Sequence, residues 1–236
     1  MIEISIVLCT YNEEKFIGTT LDSIKAKIKN AEIIVVDDNS SDKTVQIIKK
    51  KKKKNKNIKL IQRTKIKGLA SAFTVGLMNA SGKYIGWLDT NMSYVLKYFI
   101  FMKKSLKKNN DLILLSRYIP GGKDERYYLR TLSSKLLNFF CRFYLTNKIN
   151  DFSSGIFLMK KEILNEVVPF GYGHGEFFIE FIYRLSKTNF KIKEIPYTQK
   201  ADEIPGNSKT APNVFQFLRL AYIYFVRIII CKKRIN

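Results

Sequence analysis

The chain has 236 residues, of which 46% are hydrophobic and 13% are aromatic, and this composition is ample for a buried core. Lys and Arg number 42 against 20 Asp and Glu, and the net charge of +22 favours an anionic partner such as a nucleotide, a nucleic acid or an anionic lipid. The three cysteines have unrelated spacings, which argue against a disulfide framework or a zinc site and favour a reducing compartment. We expect no signal peptide, because Met1 leads almost directly into a predicted strand.

Buried strands alternate with helices along the first part of the chain. Residues 3–10, 32–36 and 58–62 are rich in β-branched residues and predict three strands. Helical spacing of apolar residues follows the first strand, and a helix built from small and apolar residues is expected at 68–80. This alternation predicts an α/β fold with a mostly parallel sheet and right-handed crossovers.

The segment at residues 83–91 is the centre of the predicted site. It indicates a short buried strand that ends at Asp89, and the strand at 32–36 likewise ends in acids, Asp37 and Asp38. Ligands of open α/β sheets bind beyond the carboxyl ends of the strands, where these side chains would meet. Asp89 and Asn91 could chelate a hard cation that holds a diphosphate, although Asp89 could instead cap the following helix.

Two conspicuous segments are interpreted without a catalytic role. The six lysines at residues 49–54 are typical of a solvated helix end, with a patch for anionic lipid or nucleic acid as the alternative. Residues 171–175 are rich in glycine but do not follow a strand as a phosphate loop would, and His174 within them is expected to be a loop residue.

The second part of the chain continues the alternation. We expect helices at 93–108, 128–145 and 177–185, and strands at 111–117 and 190–195. Residues 118–126, which contain a Pro-Gly-Gly sequence, indicate a flexible turn or a lid. Residues 196–212 form a loop long enough to suggest a function.

The C-terminal segment predicts a helix that meets a membrane. Residues 214–231 are strongly apolar but short for a span, and they contain Arg219 and Arg227. These arginines share a helical stripe with Gln216 and Ile223, which favours a helix in the membrane interface with its arginines toward the headgroups. A tilted single span and packing on the protein's own core are the alternatives.

Several segments together resemble the inverting GT-A glycosyltransferases of family 2, within them the dolichol-phosphate mannose synthases and related polyprenyl-phosphate sugar transferases. The matching segments are residues 9–13 (CTYNE), 35–40 (VVDDNS), Arg63 with 67–69 (KGL), 116–118 (SRY), Gly121-Gly122, Arg130, Ser134, 151–155 (DFSSG) and 206–209 (GNSK). The resemblance covers roughly residues 4–209. It departs from the family at Asn91, where the metal motif usually has Asp, and at Glu203, where the relatives usually have Arg.

The resemblance implies a GT-A catalytic domain at residues 1–212 and a membrane-associated helix at 213–236. It implies a GDP- or UDP-sugar donor, with Mg²⁺ or Mn²⁺ held by Asp89 and Asn91, and Arg63 near the diphosphate. The residues it assigns to the nucleotide-sugar are Cys9, Tyr11, Glu13, Asp37, Asp38, Lys67 and Asp89. The protein would act on the cytoplasmic face of the membrane, held there peripherally or by a single C-terminal anchor.

The resemblance further implies transfer of mannose or glucose to a polyprenyl phosphate. Such a phosphate is mostly a dianion at neutral pH and needs cations to position it, not a general base. The residues expected to act with Asp89 are Arg117, Arg130, Ser134 and Lys209.

Three alternatives remain open at this point. A glycan or polysaccharide hydroxyl acceptor would need a carboxylate base, for which Glu176 and Glu180 are candidates. A homologue could bind donor without turnover. A nucleic-acid-binding protein would exploit the positive charge, but no nucleic acid is expected because the chain has no recognisable binding motif.

Overall fold

A computed structural model describes residues 2–65, 67–169, 173, 175–201 and 214–235, without the side chains of Val214 and Phe217. Its centre is a sheet of seven strands with helices on both faces. The long runs of β-branched and apolar residues form the inner strands, because a strand covered on both faces needs apolar side chains on both. The predicted α/β fold with a mostly parallel sheet is confirmed.

The strands of this sheet lie in the order β3-β2-β1-β4-β7-β5-β8. Their bounds are β1 Ile4–Thr10, β2 Glu32–Asp37, β3 Ile58–Gln62, β4 Tyr84–Trp87, β5 Leu112–Ser116, β7 Phe157–Lys160 and β8 Ile192–Pro196. Pairs within β3-β2-β1-β4 are parallel, as is β5 with β8, whereas β7 runs antiparallel to both its neighbours. A second, two-stranded sheet pairs β6 with β9, at Lys123–Asp124 and Thr198–Gln199.

The helices form a layer on each face of the sheet. Their bounds are α1 Ile17–Lys27, α2 Thr44–Lys54, α3 Leu69–Met78, α4 Phe99–Leu106, α5 Tyr128–Tyr144, α6 Glu176–Leu185 and α7 Val214–Ile235. Buried residues of α1, α2 and α4 share one core cluster, and those of α3, α5, α6 and α7 share the other. Strand β4 lies between the two layers, and a Cβ at its Gly86 would come within 2.6 Å of Phe99.

Three segments differ from the sequence prediction. The helix expected at 93–108 is a 3₁₀ helix at Ser93–Tyr98 followed by the shorter α4. Residues 157–160, which are not among the predicted strands, form β7, the antiparallel strand inside the sheet. The turn or lid expected at 118–126 contains β6, and its backbone is fixed by pairing with β9.

Helix α7 packs on the protein's own core. Ile228 and Cys231 are buried in the same cluster as Cys141 of α5. The Arg227 guanidinium lies 3.4 Å from the buried Glu176 carboxylate, which needs a cation nearby, and the Arg227 side chain is half-exposed. Its contact with headgroups stays a prediction. Across the described residues, none of the helices is both long and apolar enough to cross a membrane.

Candidate active site

The loops after β1 and β2 are joined by hydrogen bonds at the carboxyl edge of the sheet. The Asn12 N–H donates to Ser40 Oγ at 2.9 Å, and the Ser41 N–H donates to Asn12 Oδ1 at 2.9 Å. Asn12 has a φ of 56°, in the left-handed region that Asn adopts more readily than most residues. The Glu13 N–H donates to Thr44 Oγ1 at 2.8 Å. These bonds hold the predicted nucleoside-binding loop against the start of α2.

Asp37 and Asp38, both predicted to bind the nucleotide-sugar, have different surroundings. Asp37 is fully buried and accepts hydrogen bonds from the backbone N–H and the Oγ of Ser40, at 3.0 and 2.6 Å. Asp38 accepts from Arg63 Nε and from the Gly68 N–H, both at 2.7 Å. Asp37 therefore shapes the turn after β2, whereas Asp38 fixes Arg63 and the loop before α3. Their contacts with a nucleotide stay a prediction.

The other side chains predicted for the nucleoside lie along the same rim. Tyr11 is 54% exposed, and Lys67 Nζ lies 5.9 Å from the centre of its ring. Cys9 is half-buried, and burial raises the pKa of its thiol, which therefore stays protonated at neutral pH. An exposed aromatic ring beside a lysine can stack on a base and contact a phosphate.

Asp89 lies just beyond β4 at the middle of this edge. Solvent reaches its carboxylate, but the surrounding protein and the charge of Glu13 raise the pKa of Asp89 to about 6. No described residue donates a hydrogen bond to this carboxylate or forms an ion pair with it. The neighbouring Thr90 donates to Glu13 Oε2 at 2.8 Å and so ties the first loop to the end of β4. Asp89 does not cap the following 3₁₀ helix, whose N-cap residue is Met92 and has no side-chain cap.

Asp89 and the exposed Asn91 form a pair of oxygen donors. Mg²⁺ and Mn²⁺ take oxygen ligands, and a carboxylate unpaired among the described residues, with an amide two positions later in the chain, fits such an ion. Within the described ranges, there is no group of three or more His, Cys, Asp or Glu residues that could hold a metal. A cation at this position would therefore depend on oxygens of the ligand and of water.

Arg117, predicted to meet the acceptor, is buried and engaged within the protein. Its Nε and Nη2 donate to the two oxygens of Asp151 at 2.8 and 2.7 Å. Nη2 also donates to Ser153 Oγ at 2.7 Å, and Nη1 lies 3.4 Å from Asp124. Burial acts to lower the pKa of Arg117, but Asp151 raises it, so the group stays charged. Its direct contact with a phosphate stays a prediction, while its observed effect is to position Ser153.

A second arginine, which the sequence reasoning missed, extends this network. Arg126 donates from Nε and Nη2 to Asp124 at 2.8 and 2.6 Å, and from Nη2 to Ser134 Oγ at 2.9 Å. Against the effect of burial, these bonds and Arg117 lower the pKa of Asp124 to about 2. The predicted Ser134 therefore lies in the site region, and Arg130 is half-buried one helical turn before it on α5. In the sequence, the only indication of this network is that an acid and a base, Asp124 and Arg126, lie two residues apart.

Tyr94 and Lys200 are two further residues that sequence reasoning did not find. The Lys200 N–H donates to Tyr94 Oη at 3.3 Å, and Lys200 Nζ lies 5.1 Å from the centre of the Tyr94 ring. Burial raises the pKa of Tyr94, and the charges of Asp89, Arg117 and Arg126 also act on it. Tyr94 therefore lies between Asp89, at the acidic end of the site, and Arg117 and Arg126, at its cationic end.

A small cavity of about 160 Å³ lies beside Asp89. Its walls come from the ends of β4 and β7, from α6 and from α7; the lining residues include Trp87, Asp89, Ser153, Ser154, Gly155, Phe178 and Tyr224. Asp89 and Ser153, the residue that Arg117 positions, thus border one space.

Some predicted residues fall elsewhere. Lys209, Glu203 and His174 lie outside the described residues, so their predicted roles are not tested. The candidate bases Glu176 and Glu180 are paired with Arg227 and Arg234, at 3.4 and 2.5 Å.

The sequence matches a known protein family over more than half of its length. The model of glycosyl transferase family 2 matches residues 5–168. A dolichol-phosphate mannosyltransferase of Pyrococcus furiosus is 30% identical over 93% of this chain, which spans 63% of that protein's length. A polyprenol monophosphomannose synthase of Mycolicibacterium smegmatis is 24% identical over 89% of this chain and 82% of its own length.

Solved structures support the same fold. Glucosyl-3-phosphoglycerate synthase from Mycobacterium tuberculosis in complex with UDP superposes with a TM-score of 0.72 at 16% identity, over 98% of this chain and 80% of that chain. The same enzyme with Mn²⁺, UDP-glucose and phosphoglyceric acid gives a TM-score of 0.71 at 16% identity and the same coverage. The family model covers more than half of the chain, and we conclude that this protein belongs to glycosyltransferase family 2.

Proposed function

We propose that this protein is an inverting glycosyltransferase that moves a hexose, mannose or glucose, from a nucleotide diphosphate sugar to a polyprenyl phosphate. One observation carries the proposal: Asp89, whose carboxylate has no partner among the described residues, shares a cavity with Ser153 and with α7, a helix with exposed apolar side chains. The names of the two sequence relatives support a polyprenyl phosphate acceptor and a mannose donor.

The donor would lie along the rim formed by the loops after β1 and β2. Tyr11 and Lys67 are exposed there, and Glu13 is fixed by Thr90 close to Asp89. A base on Tyr11 would place the diphosphate toward Lys67 and Asp89. The structural neighbour bound to UDP supports a uridine donor, while the names of the sequence relatives do not identify a base.

A divalent cation, when bound by Asp89 and Asn91, would neutralise the charge that develops on the leaving diphosphate. The neighbour solved with Mn²⁺ and UDP-glucose supports this assignment. The residues of this chain would hold the diphosphate at the end of β4 and leave the sugar in the adjoining cavity.

The acceptor phosphate would approach from the side of Arg126 and Lys200. Arg117 is neutralised by Asp151 and Asp124, so its part would be to hold Ser153 and the network in place. Arg126 and Lys200 lie nearer the surface and can contact an anion. A phosphate dianion is already a nucleophile, which agrees with the pairing of Glu176 and Glu180 to arginines.

Two helices supply a surface that suits a lipid acceptor, which we name the apolar face. Its exposed side chains are Leu129, Leu132, Leu136, Phe139 and Phe143 of α5, and Phe215, Leu218, Tyr222 and Phe225 of α7. Phe140 and Phe225, with ring centres 5.0 Å apart, join the two helices. Exposed apolar groups at helical spacing are typical of helices that lie in a membrane interface. We infer that the protein rests on an anionic membrane by this face.

The test is transfer of labelled sugar from GDP-mannose or UDP-glucose into short polyprenyl phosphate, with Mg²⁺ or Mn²⁺. We expect label in the lipid extract from the intact chain and none from Asp89→Ala, with Asp22→Ala as a matched surface carboxylate control. Label that persists in Asp89→Ala would contradict the assigned site. Metal-dependent transfer to a soluble glycan, without lipid label, would overturn the acceptor and leave the glycosyltransferase.

A further inference from the structure

Trp87 carries a buried hydrogen-bond donor that the protein does not use. The residue is 6% exposed, and its indole Nε1 has no acceptor among the described residues. Buried polar groups are nearly always paired, because an unpaired donor loses its bonds to water on folding. An unpaired donor in a native fold therefore needs an explanation, and a ligand can provide one.

Trp87 lies in the wall of the cavity that holds Asp89. It is the last residue of β4, two positions before Asp89, and both residues line this cavity. Ser153, Ser154 and Gly155 also line it. Trp87, which carries the unused donor, and Asp89 at the diphosphate end thus border the same space.

The indole is held in one orientation by its neighbours. The ring centres of Phe73, Phe177 and Phe178 lie 4.8, 6.1 and 6.4 Å from that of Trp87. Gly155 has a φ of +73°, and a Cβ there would be 3.2 Å from Trp87 Cζ3. Glycine at position 155 leaves room for the indole, and the three aromatic rings hold it there. The indole N–H is therefore fixed before a ligand binds, which favours specificity.

The chemistry of the cavity selects a neutral, hydroxylated ligand. Its described lining residues include no Lys or Arg that could pair with a phosphate inside it. A volume of about 160 Å³ is below that of most ligand pockets, about 300–1,000 Å³, and suits one sugar ring better than a nucleotide. Aromatic walls with a few polar groups are typical of sugar sites.

We propose that Trp87 is a specificity-determining residue, whose indole N–H donates a hydrogen bond to a hydroxyl of the transferred sugar. This inference rests on the proposed glycosyltransferase function and identifies the sugar as the part of the nucleotide-sugar that the cavity binds. A site that hydrogen-bonds a substrate hydroxyl rejects analogues without it, because the protein group is then left unpaired.

The first experiment uses the single tryptophan of the sequence as a probe. The intact protein with Mn²⁺ is titrated with UDP-glucose and GDP-mannose, and separately with UDP and GDP, while the fluorescence of Trp87 is recorded. We expect the accepted nucleotide-sugar to shift the emission and its nucleoside diphosphate to leave the emission maximum unchanged. Equal shifts from both would place the sugar away from Trp87 and overturn the inference.

The second experiment combines Trp87→Phe with donor analogues that each lack one sugar hydroxyl, and calorimetry gives each Kd. We expect the intact protein to bind one analogue about tenfold more weakly than the full donor, and Trp87→Phe to bind both within about twofold. Phe73→Leu, which alters the same aromatic cluster and keeps the indole N–H, should retain the tenfold difference.

Three outcomes overturn the inference in different ways. An unchanged discrimination pattern in Trp87→Phe would exclude the hydrogen bond while leaving the glycosyltransferase function intact. A Trp87→Phe variant whose only change is a higher KM for polyprenyl phosphate would mean that the indole N–H binds the lipid acceptor and not the transferred sugar. Binding of no nucleotide-sugar to the intact protein, by calorimetry, would overturn the proposed function and this inference together.

Discussion

Glu32 and Asp89 are carboxylates at opposite ends of the central sheet, and the protein treats them differently. Glu32 begins β2 and receives hydrogen bonds from Ser5 Oγ at 2.5 Å and from the Ser81 N–H at 2.8 Å, with Lys59 Nζ at 2.5 Å. Although burial acts to raise it, these partners lower the pKa of Glu32 to about 2. Asp89, beyond the end of β4, has no such partner in the part of the chain that the structure describes, and its pKa is raised to about 6.

The difference distinguishes a carboxylate that stabilises the fold, Glu32, from one that is suited to bind a ligand, Asp89. Parallel strands place their amino ends on one edge and their carboxyl ends on the other, where open α/β folds bind ligands. The protein satisfies Glu32 at the first edge with residues from β1, β3 and the loop before β4. At the second edge it leaves Asp89 for an external partner, at some cost to the unliganded state.

Replacement of Asp89 by Asn should have the largest effect on activity and a small one on folding. We expect kcat/KM for sugar transfer to fall by about a thousandfold, since the diphosphate loses charge stabilisation. In metal-free buffer at pH 7 the thermal midpoint should be equal or slightly higher, because the folded state disfavours the ionised Asp89 beside Glu13. A clear fall in the midpoint would mean that Asp89 serves the fold as Glu32 does.

Substitution of Arg117 tests whether the carboxyl edge of the sheet also contains side chains that stabilise the fold. Arg117→Met leaves Asp151 buried without its cation, and we expect a loss of about 3–5 kcal/mol in the free energy of unfolding. Denaturant unfolding measures this loss. Lys160→Met, which removes a more exposed pair with Asp111, should cost about 0–1 kcal/mol. Unchanged stability in Arg117→Met, with activity lost, would assign Arg117 to the ligand.

Glu32→Gln should lower the free energy of unfolding at pH 7 by about 2 kcal/mol, the value of a hydrogen-bonded charged group. The folded pKa of about 2 lies below the usual 4.5, so the charge stabilises the fold fully above pH 4.5. That contribution is lost as the pH falls from 4.5 toward 2. Unfolding curves of the two proteins should therefore converge as the pH is lowered from 7 to 3, whereas a constant difference would contradict the charge-based explanation.

The residues at the carboxyl edge of the sheet could be predicted from the sequence, because their positions depend on local sequence patterns. Asp89 follows a run of apolar residues, and the strand end positions it without help from distant residues. The same holds for Asp37, which ends β2, and for Asp38 directly after it. Strand periodicity and the order of the elements suffice to place such residues on one edge.

The features that sequence reasoning missed depend on contacts between distant segments. Arg117 looks like a free phosphate ligand until Asp151, 34 positions later, is brought against it. The antiparallel β7 is too short to stand out by periodicity, yet it carries the loop with Ser153 and Gly155 to the cavity. Trp87 reads as one more core residue, because nothing in a sequence shows that its N–H lacks an acceptor.

The same contrast extends to the two helical layers, and a matched pair of exposed phenylalanines tests it. Phe139 of α5 is 71% exposed within the apolar face, and Phe101 of α4 is 63% exposed on the other side of the sheet. Burial of a Phe side chain in an apolar phase gains about 1.5–3 kcal/mol, so Phe139→Ser should weaken binding to anionic lipid vesicles about tenfold. Phe101→Ser should change vesicle binding by less than about twofold, although it removes an equally large exposed ring. Co-sedimentation with vesicles measures both, and equal losses would mean that positive charge, not the apolar face of α5 and α7, holds the protein to the membrane.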